Sequence, residues 1–226
     1  MTIGWIISSA IFFLMFPAGI LALAGDWLWV EGWIFCAWFI VMCLAVSVYL
    51  YRNDPELLVE RSRLPGTGNQ QEWDKYLMTG IYLVFIVWFV VMPLDAKRYG
   101  GEAHFPVWLK ALGGLLLLPS LYLFYQSCVD NTFASTQVRI QRERKQHVVS
   151  TGVYSFVRHP MYLGAVFMGL GAPLLLGSVY GLAVGLIMIL VVAGRIIGEE
   201  RMLVSELEGY EDYRRKVRYR LIPYVW

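Results

Sequence analysis

The stretch that decides the architecture is residues 162–192, YLGAVFMGLGAPLLLGSVYGLAVGLIMILVV. It holds no Asp, Glu, Lys, Arg or His, and only Gly177-Ser178 punctuates it. A hydrocarbon core of about 30 Å takes roughly 20 apolar residues in a helix. Tyr162–Leu176 and Val179–Val192 are each shorter than that, so the stretch reads as a tight hairpin of two short membrane helices; a single re-entrant feature is the other reading. Outward from it, four more apolar runs stand at Trp5–Ala24, Trp33–Tyr51, Tyr76–Leu94 and Val107–Tyr125, the last with Lys110 placed to snorkel. The expected fold is therefore an all-α polytopic membrane bundle of six spans with an amphipathic C-terminal helix.

Composition agrees. The chain is 58% hydrophobic and 16% charged, with a mean hydropathy of +0.55. A soluble domain carries about 25% charged residues, so this chain lacks the polar side chains to cover a water-facing surface. No basic segment precedes the first span and no small-residue cleavage site follows it, so it reads as a retained helix.

Basic residues fall in three groups. Arg52, Arg61, Arg63 and Lys75 join spans two and three; Arg139, Arg142, Arg144, Lys145 and Arg158 join spans four and five. Arg195, Arg201, Arg214, Arg215, Lys216, Arg218 and Arg220 follow the last span. Only Lys97, Arg98 and Lys110 of the 19 lie elsewhere. Six spans put all three groups on one side, cytoplasmic by the positive-inside rule, together with both termini. Five or seven spans would scatter them. No nucleic-acid motif accompanies the charge. Cys36, Cys43 and Cys128 lie in or beside apolar runs without metal-ligand spacing, so no metal site is expected.

Polar segments separate a four-helix membrane region, residues 1–129, from a candidate catalytic region, 130–226. Turn signals at Asn53-Asp54-Pro55 and Pro65–Gly68 bracket an expected interfacial helix, Glu56–Arg63, with Leu57, Leu58 and Leu64 dipping towards lipid. The linker Asp130–Pro160 is longer than a simple connection requires, which points to function. From Gly198 onwards, Leu203, Leu207, Tyr210, Tyr213 and Val217 recur at helical spacing and predict an amphipathic helix on the membrane surface.

Ionisable residues at the ends of spans are expensive and mark candidate sites. Arg158 and His159 precede Pro160, a residue suited to the first turn of a helix, where free N–H groups favour an anion. Gly164, one turn in, would let something approach the backbone closely. The plain alternative is a capped helix start with an interfacial His and Tyr. On the last span, Arg195 and Glu199 are spaced as an i,i+4 ion pair. A short hairpin would bring His159, Tyr162, Arg195 and Glu199 together at the cytoplasmic rim, in a pocket half polar and half lipid-facing.

The run Gly152-Val153-Tyr154-Ser155, Arg158-His159-Pro160-Met161-Tyr162 and Gly164, followed by Arg195, Glu199-Glu200, Tyr210 and Tyr213, resembles the isoprenylcysteine carboxyl methyltransferase family. More broadly it is similar to the membrane methyltransferases that include phospholipid N-methyltransferases. Val138–Gln141 and His147–Val149 fit the same pattern. The resemblance spans about 138–217 and extends weakly to Asn53–Leu58 with Arg61. It implies an S-adenosylmethionine site, roofed by the linker and tail, built from Gln141, His147, Val148, Val149, Tyr154, His159, Pro160, Met161, Tyr162 and Glu199. S-adenosylhomocysteine would be the product, and Arg195 would face the substrate, with His159 and Glu199 as the other catalytic candidates. The stretch between Gln141 and Tyr154 is slightly shorter than in eukaryotic members, which shifts the register of His147–Val149.

An ionised carboxylate acceptor would need no general base, and the Arg195 fork would orient its two oxygens. An amine acceptor would need one, with Glu199, Glu200 or His159 available. The expected partners are a lipophilic or lipidated substrate and membrane lipid. Three other readings stand beside the carboxylate: a phospholipid or amine N-methyltransferase, an NADPH-dependent reductase of the sterol-reductase type, and a non-enzymatic protein or transporter. The last would be expected to show repeated halves, and none is visible.

Overall fold

A computed structural model describes residues 3–100 and 105–226, with side chains of the first helix described from Phe12 onwards. Its described residues are helical, with no strand. The elements are α1 (Ile3–Ala24), α2 (Val30–Asn53), α3 (Pro55–Arg61), α4 (Glu72–Pro93, continued by a π turn over Leu94–Arg98), α5 (Val107–Asp130), α6 (Pro160–Leu176), α7 (Val179–Glu206) and α8 (Tyr210–Lys216). Among them, α2, α4 with its π turn, α5 and α7 are long and apolar enough to cross a membrane, and α6 and the described part of α1 are shorter apolar helices. The chain is an integral, multi-pass membrane protein. Leu83 and Ile86 on α4, Leu115 and Leu118 on α5, and Leu186 and Leu190 on α7 are exposed, as lipid-facing side chains must be.

Between helices the core is aromatic and sulfur-rich. Phe16 stacks on Phe39 with centroids 4.1 Å apart, Trp88 and Met92 are fully enclosed, and the Trp38 indole donates to the Leu117 carbonyl at 2.8 Å. Lipid is as apolar as leucine, so helix association here rests on close packing of small residues. A Cβ added at Gly113 of α5 would stand 2.3 Å from the Leu175 amide nitrogen of α6, and one at Gly185 of α7 2.2 Å from the Gly169 carbonyl of α6. The α6–α7 hairpin turns at Gly177, whose φ of 82° suits glycine, and Ser178 caps α7 by accepting from the Gly181 amide at 2.8 Å.

Two polar segments fold differently from expectation. Asp54 caps α3 by accepting from the Leu57 amide at 2.9 Å, and Leu57 then points inward against Leu50 and Cys128 rather than towards lipid. The C-terminal stripe is not one surface helix: α7 runs on to Glu206, the chain breaks at Gly209 (φ 80°), and α8 follows. Leu203, Leu207, Tyr210, Tyr213 and Val217 are all buried, against Val138, Ile140 and Val148 of the linker. The stripe's apolar partner is protein, so the tail and linker form one lid over the ends of α6 and α7.

Candidate active site

Beneath that lid lies a cavity of about 290 Å³. The α7 residues that face it include Met188, Val192, Arg195, Glu199 and Met202, spaced at helical intervals, so the groove passes from apolar to charged as the helix leaves the membrane. Met78, Ile81 and Phe85 of α4 and Phe124 of α5 complete the apolar part. His159 and Tyr162 stand at the start of α6, with Pro160 in its first turn. The 133–139 and 146–149 segments, with Tyr210 and Tyr213, form the roof.

Four side chains run end to end along the charged wall. Asp74, fully buried near the start of α4, accepts from Arg195 Nε at Oδ1 (2.8 Å) and from Arg195 Nη2 at Oδ2 (3.3 Å). Arg195 Nη1 donates to the Tyr162 hydroxyl at 2.8 Å, which donates in turn to Glu199 Oε2 at 2.8 Å. Arg195 Nη2 also donates to the Thr136 carbonyl at 2.6 Å, and the Val138 amide and Gln70 Nε2 donate to Asp74 at 2.9 and 2.7 Å. A buried ion pair needs its remaining hydrogen-bonding capacity satisfied, and this one recruits the linker backbone to do so. The pair that holds Arg195 therefore also holds the roof.

This arrangement departs from the expected Arg195–Glu199 pair. The Tyr162 hydroxyl lies between them, and the carboxylate that takes the guanidinium fork is Asp74. Of the five N–H groups of an arginine, four have partners, leaving one on Nη1 for a ligand. The open two-oxygen fork is not available.

On the adjoining face of α7, Glu200 accepts from Arg158 Nε at 2.6 Å and Arg220 Nε at 2.7 Å, and lies 3.2 Å from His159 Nε2. His159 also stacks on Tyr162, centroids 5.6 Å apart. Arg158 reaches across to the Val217 and Arg218 carbonyls, tying the tail to the start of α6. Farther out, the guanidinium of Arg139 clamps Glu60 of α3 through Nε and Nη2 at 2.7 and 2.8 Å, fixing the linker to the first polar segment. Burial alone would raise the Glu60 carboxyl, but the bonds from Arg139 outweigh it and hold the group below its ordinary value. Tyr154 is held above the usual phenol range by burial, and its carbonyl accepts from the Tyr213 hydroxyl at 2.7 Å.

Comparisons with known proteins identify the family. The phospholipid methyltransferase family matches residues 108–208. The protein-S-isoprenylcysteine O-methyltransferase of Schizosaccharomyces pombe is 30% identical over 171 residues, covering 66% of this chain and 71% of that protein. The chain belongs to the isoprenylcysteine carboxyl methyltransferase family. A solved structure of the eukaryotic intramembrane Ras methyltransferase isoprenylcysteine carboxyl methyltransferase superposes with a TM-score of 0.65 at 20% identity, covering 96% of this chain and 75% of that one, so the fold is shared as well.

This member of the isoprenylcysteine carboxyl methyltransferase family is thus a membrane methyltransferase, and the reductase and transporter readings fall away. His147, Val148, Val149, Tyr154, His159, Pro160, Met161, Tyr162, Arg195 and Glu199 all reach the cavity wall. Gln141 does not: it is buried in the linker, donating to the Phe133 carbonyl at 3.0 Å and accepting from Arg144 Nη1 at 2.8 Å, a brace for the loop. The close approach expected at Gly164 is made by α5, whose Ser120 hydroxyl donates to its carbonyl at 2.8 Å. Glu200 is committed to two guanidiniums and is a poor general base. Sequence reasoning missed Asp74, because a census of cations passes over an acid in the first turn of a span. Arg61, which the resemblance touched only weakly and to which it gave no role, reaches the cavity while donating to the Ala134 carbonyl at 2.7 Å.

Proposed function

We propose that this cavity binds S-adenosylmethionine and methylates the carboxylate of a lipidated cysteine of the isoprenylcysteine type, releasing S-adenosylhomocysteine. The observation that carries the reading is the Arg195–Tyr162–Glu199 chain on a groove that turns apolar over Val192 and Met188. The residues present suit a cationic donor: Glu199 has a tyrosine hydroxyl as its partner and no guanidinium, so its negative charge stays available. When bound, the cofactor supplies an activated methyl group. The chain's own residues then have to position the reactants. Arg195 offers its remaining Nη1–H to an acceptor oxygen, Tyr162 holds both Arg195 and Glu199, and the latched roof keeps water out. A carboxylate acceptor is already ionised, which suits a site whose second glutamate is locked away. The apolar groove between α4, α5 and α7 receives the lipid chain.

In this reading residues 1–129 provide the membrane scaffold and 130–226 the cofactor and catalytic side chains, with Arg61, Met78 and Phe85 contributed from the first region. Six spans place the basic loops and both termini in the cytoplasm, where the cofactor is available. The match to the phospholipid methyltransferase family keeps a second reading, N-methylation of a headgroup amine, in play.

The test incubates purified protein in nanodiscs with methyl-labelled S-adenosylmethionine and either S-farnesylcysteine or phosphatidylethanolamine. Label transferred to the farnesylcysteine in a base-labile ester, released as methanol, is the expected result. Base-stable label on phosphatidylethanolamine would replace the first reading by the second.

A further inference from the structure

A second concavity, lined by arginines, lies beside the cavity. Arg158, Arg214, Arg215, Arg218 and Arg220 line one open depression at the start of α6 and the end of α8. Arg158 is nearly fully buried, and the tail is zipped onto its loop, the Arg158 and His159 amides donating to the Tyr219 and Arg220 carbonyls at 3.0 Å each. Local acids cover only part of the charge. Glu200 is shared by Arg158 and Arg220, Glu211 pairs with Arg214 at 2.9 Å, and Asp212 is 3.7 Å from the exposed Arg215. Arg218 is exposed and has no acidic partner among the described residues. Guanidiniums crowded in this way repel unless an anion bridges them, and their planar forks match phosphate oxygens.

The depression also has a defined depth. Leu221 and Trp226 pack with Leu163, Val166, Leu170, Ile189 and Val192 of α6 and α7, and α7 also carries the exposed Leu186, Ile187 and Leu190. Ile222, Tyr224 and Val225 of the same turn, and Phe156 just before α6, are exposed. Apolar side chains beside an arginine cluster at the end of membrane helices describe a surface sitting at headgroup level.

We propose that the five-arginine depression is a binding site for the phosphate group of an anionic phospholipid. A free phosphate would satisfy the charges but not the exposed apolar turn beside them, which is why the lipid is the source chosen. The site is independent of the methyl-transfer reading, and it touches the cavity through Arg158, which lines both spaces.

The test titrates the detergent-purified full chain with dioctanoyl phosphatidylglycerol, dioctanoyl phosphatidylcholine and inorganic phosphate, following thermal unfolding. Saturable stabilisation by phosphatidylglycerol is expected, with an apparent affinity at least tenfold above that for phosphatidylcholine. The triple variant Arg214→Gln, Arg215→Gln, Arg218→Gln should lose at least tenfold of that affinity; Arg158 and Arg220 stay intact because they hold Glu200. Should the triple variant not fold, Arg218→Gln alone should still lose threefold or more. Equal responses to the two lipids, a variant that titrates like the parent, or inorganic phosphate stabilising as well as the lipid would each overturn the assignment.

Discussion

Glu199 and Glu200 are consecutive in sequence and occupy opposite environments. Glu199 faces the cavity with the Tyr162 hydroxyl as its partner, whereas Glu200 faces the tail, held by Arg158 and Arg220 beside His159. Neighbouring residues on a helix point about 100° apart, following from 3.6 residues per turn. One register step therefore separates a carboxylate free to meet a ligand from one built into the scaffold. The two sides of α7 use the same residue types, Arg, Glu and an aromatic, for different work. What separates them is how much of the ionic capacity is already spent inside the protein.

The predictions that would break or sharpen this contrast run in order of their effect on turnover. Arg195→Ala should reduce methyl transfer about a hundredfold or more while S-adenosylhomocysteine binding persists, and Glu199→Ala should abolish that binding in a protein that still folds. Calorimetric titration and labelled transfer check both; full turnover in the two variants would remove the site from this wall. Asp74→Asn leaves Arg195 without its fork partner and should lower turnover by about tenfold, acting through Arg195. The double variant Asp74→Asn, Arg195→Ala should then be no slower than Arg195→Ala alone; additive losses would show that Asp74 acts elsewhere.

Glu200→Gln strips the counter-charge from two guanidiniums, at a cost of about 3 kcal/mol in stability. Turnover per folded molecule should stay within about threefold of the parent. A selective loss of turnover at unchanged melting temperature would place Glu200 with Glu199 instead. The smallest effect concerns Glu60. Its carboxyl is held below the ordinary value near 4.5, so the clamp with Arg139 contributes full stability above that pH and loses it as pH falls further, through the folded-state value. Melting temperatures of the parent and Glu60→Gln should differ by a constant amount at neutral pH and converge in acid. A gap that widened in acid would contradict this account.

Much was legible without coordinates, because membrane spans obey a length and composition rule that needs no tertiary information. The hairpin at Gly177-Ser178, the convergence of His159, Tyr162, Arg195 and Glu199, and the involvement of the linker all follow from sequence order and short connections. The failures share one cause. The resemblance puts Gln141 on the cofactor and periodicity puts the C-terminal stripe on lipid, and neither signal says whose atoms supply the partner. In the folded chain Gln141 braces Phe133 and the stripe closes on Val138 and Ile140; the close approach expected at Gly164 is made, by α5.

By itself, then, the sequence determined that this is a polytopic helical membrane protein, since hydropathy and charge are properties of residues, and its resemblance to a methyltransferase family pointed to the last hairpin as the candidate site. Only the tertiary structure decided that Asp74 takes the fork of Arg195, that Tyr162 stands between Arg195 and Glu199, and that Glu200 belongs to the tail. Asp74 and Arg195 are 121 positions apart along the chain. Their pairing depends on how α4 packs against α7, a matter of shape that no local pattern encodes.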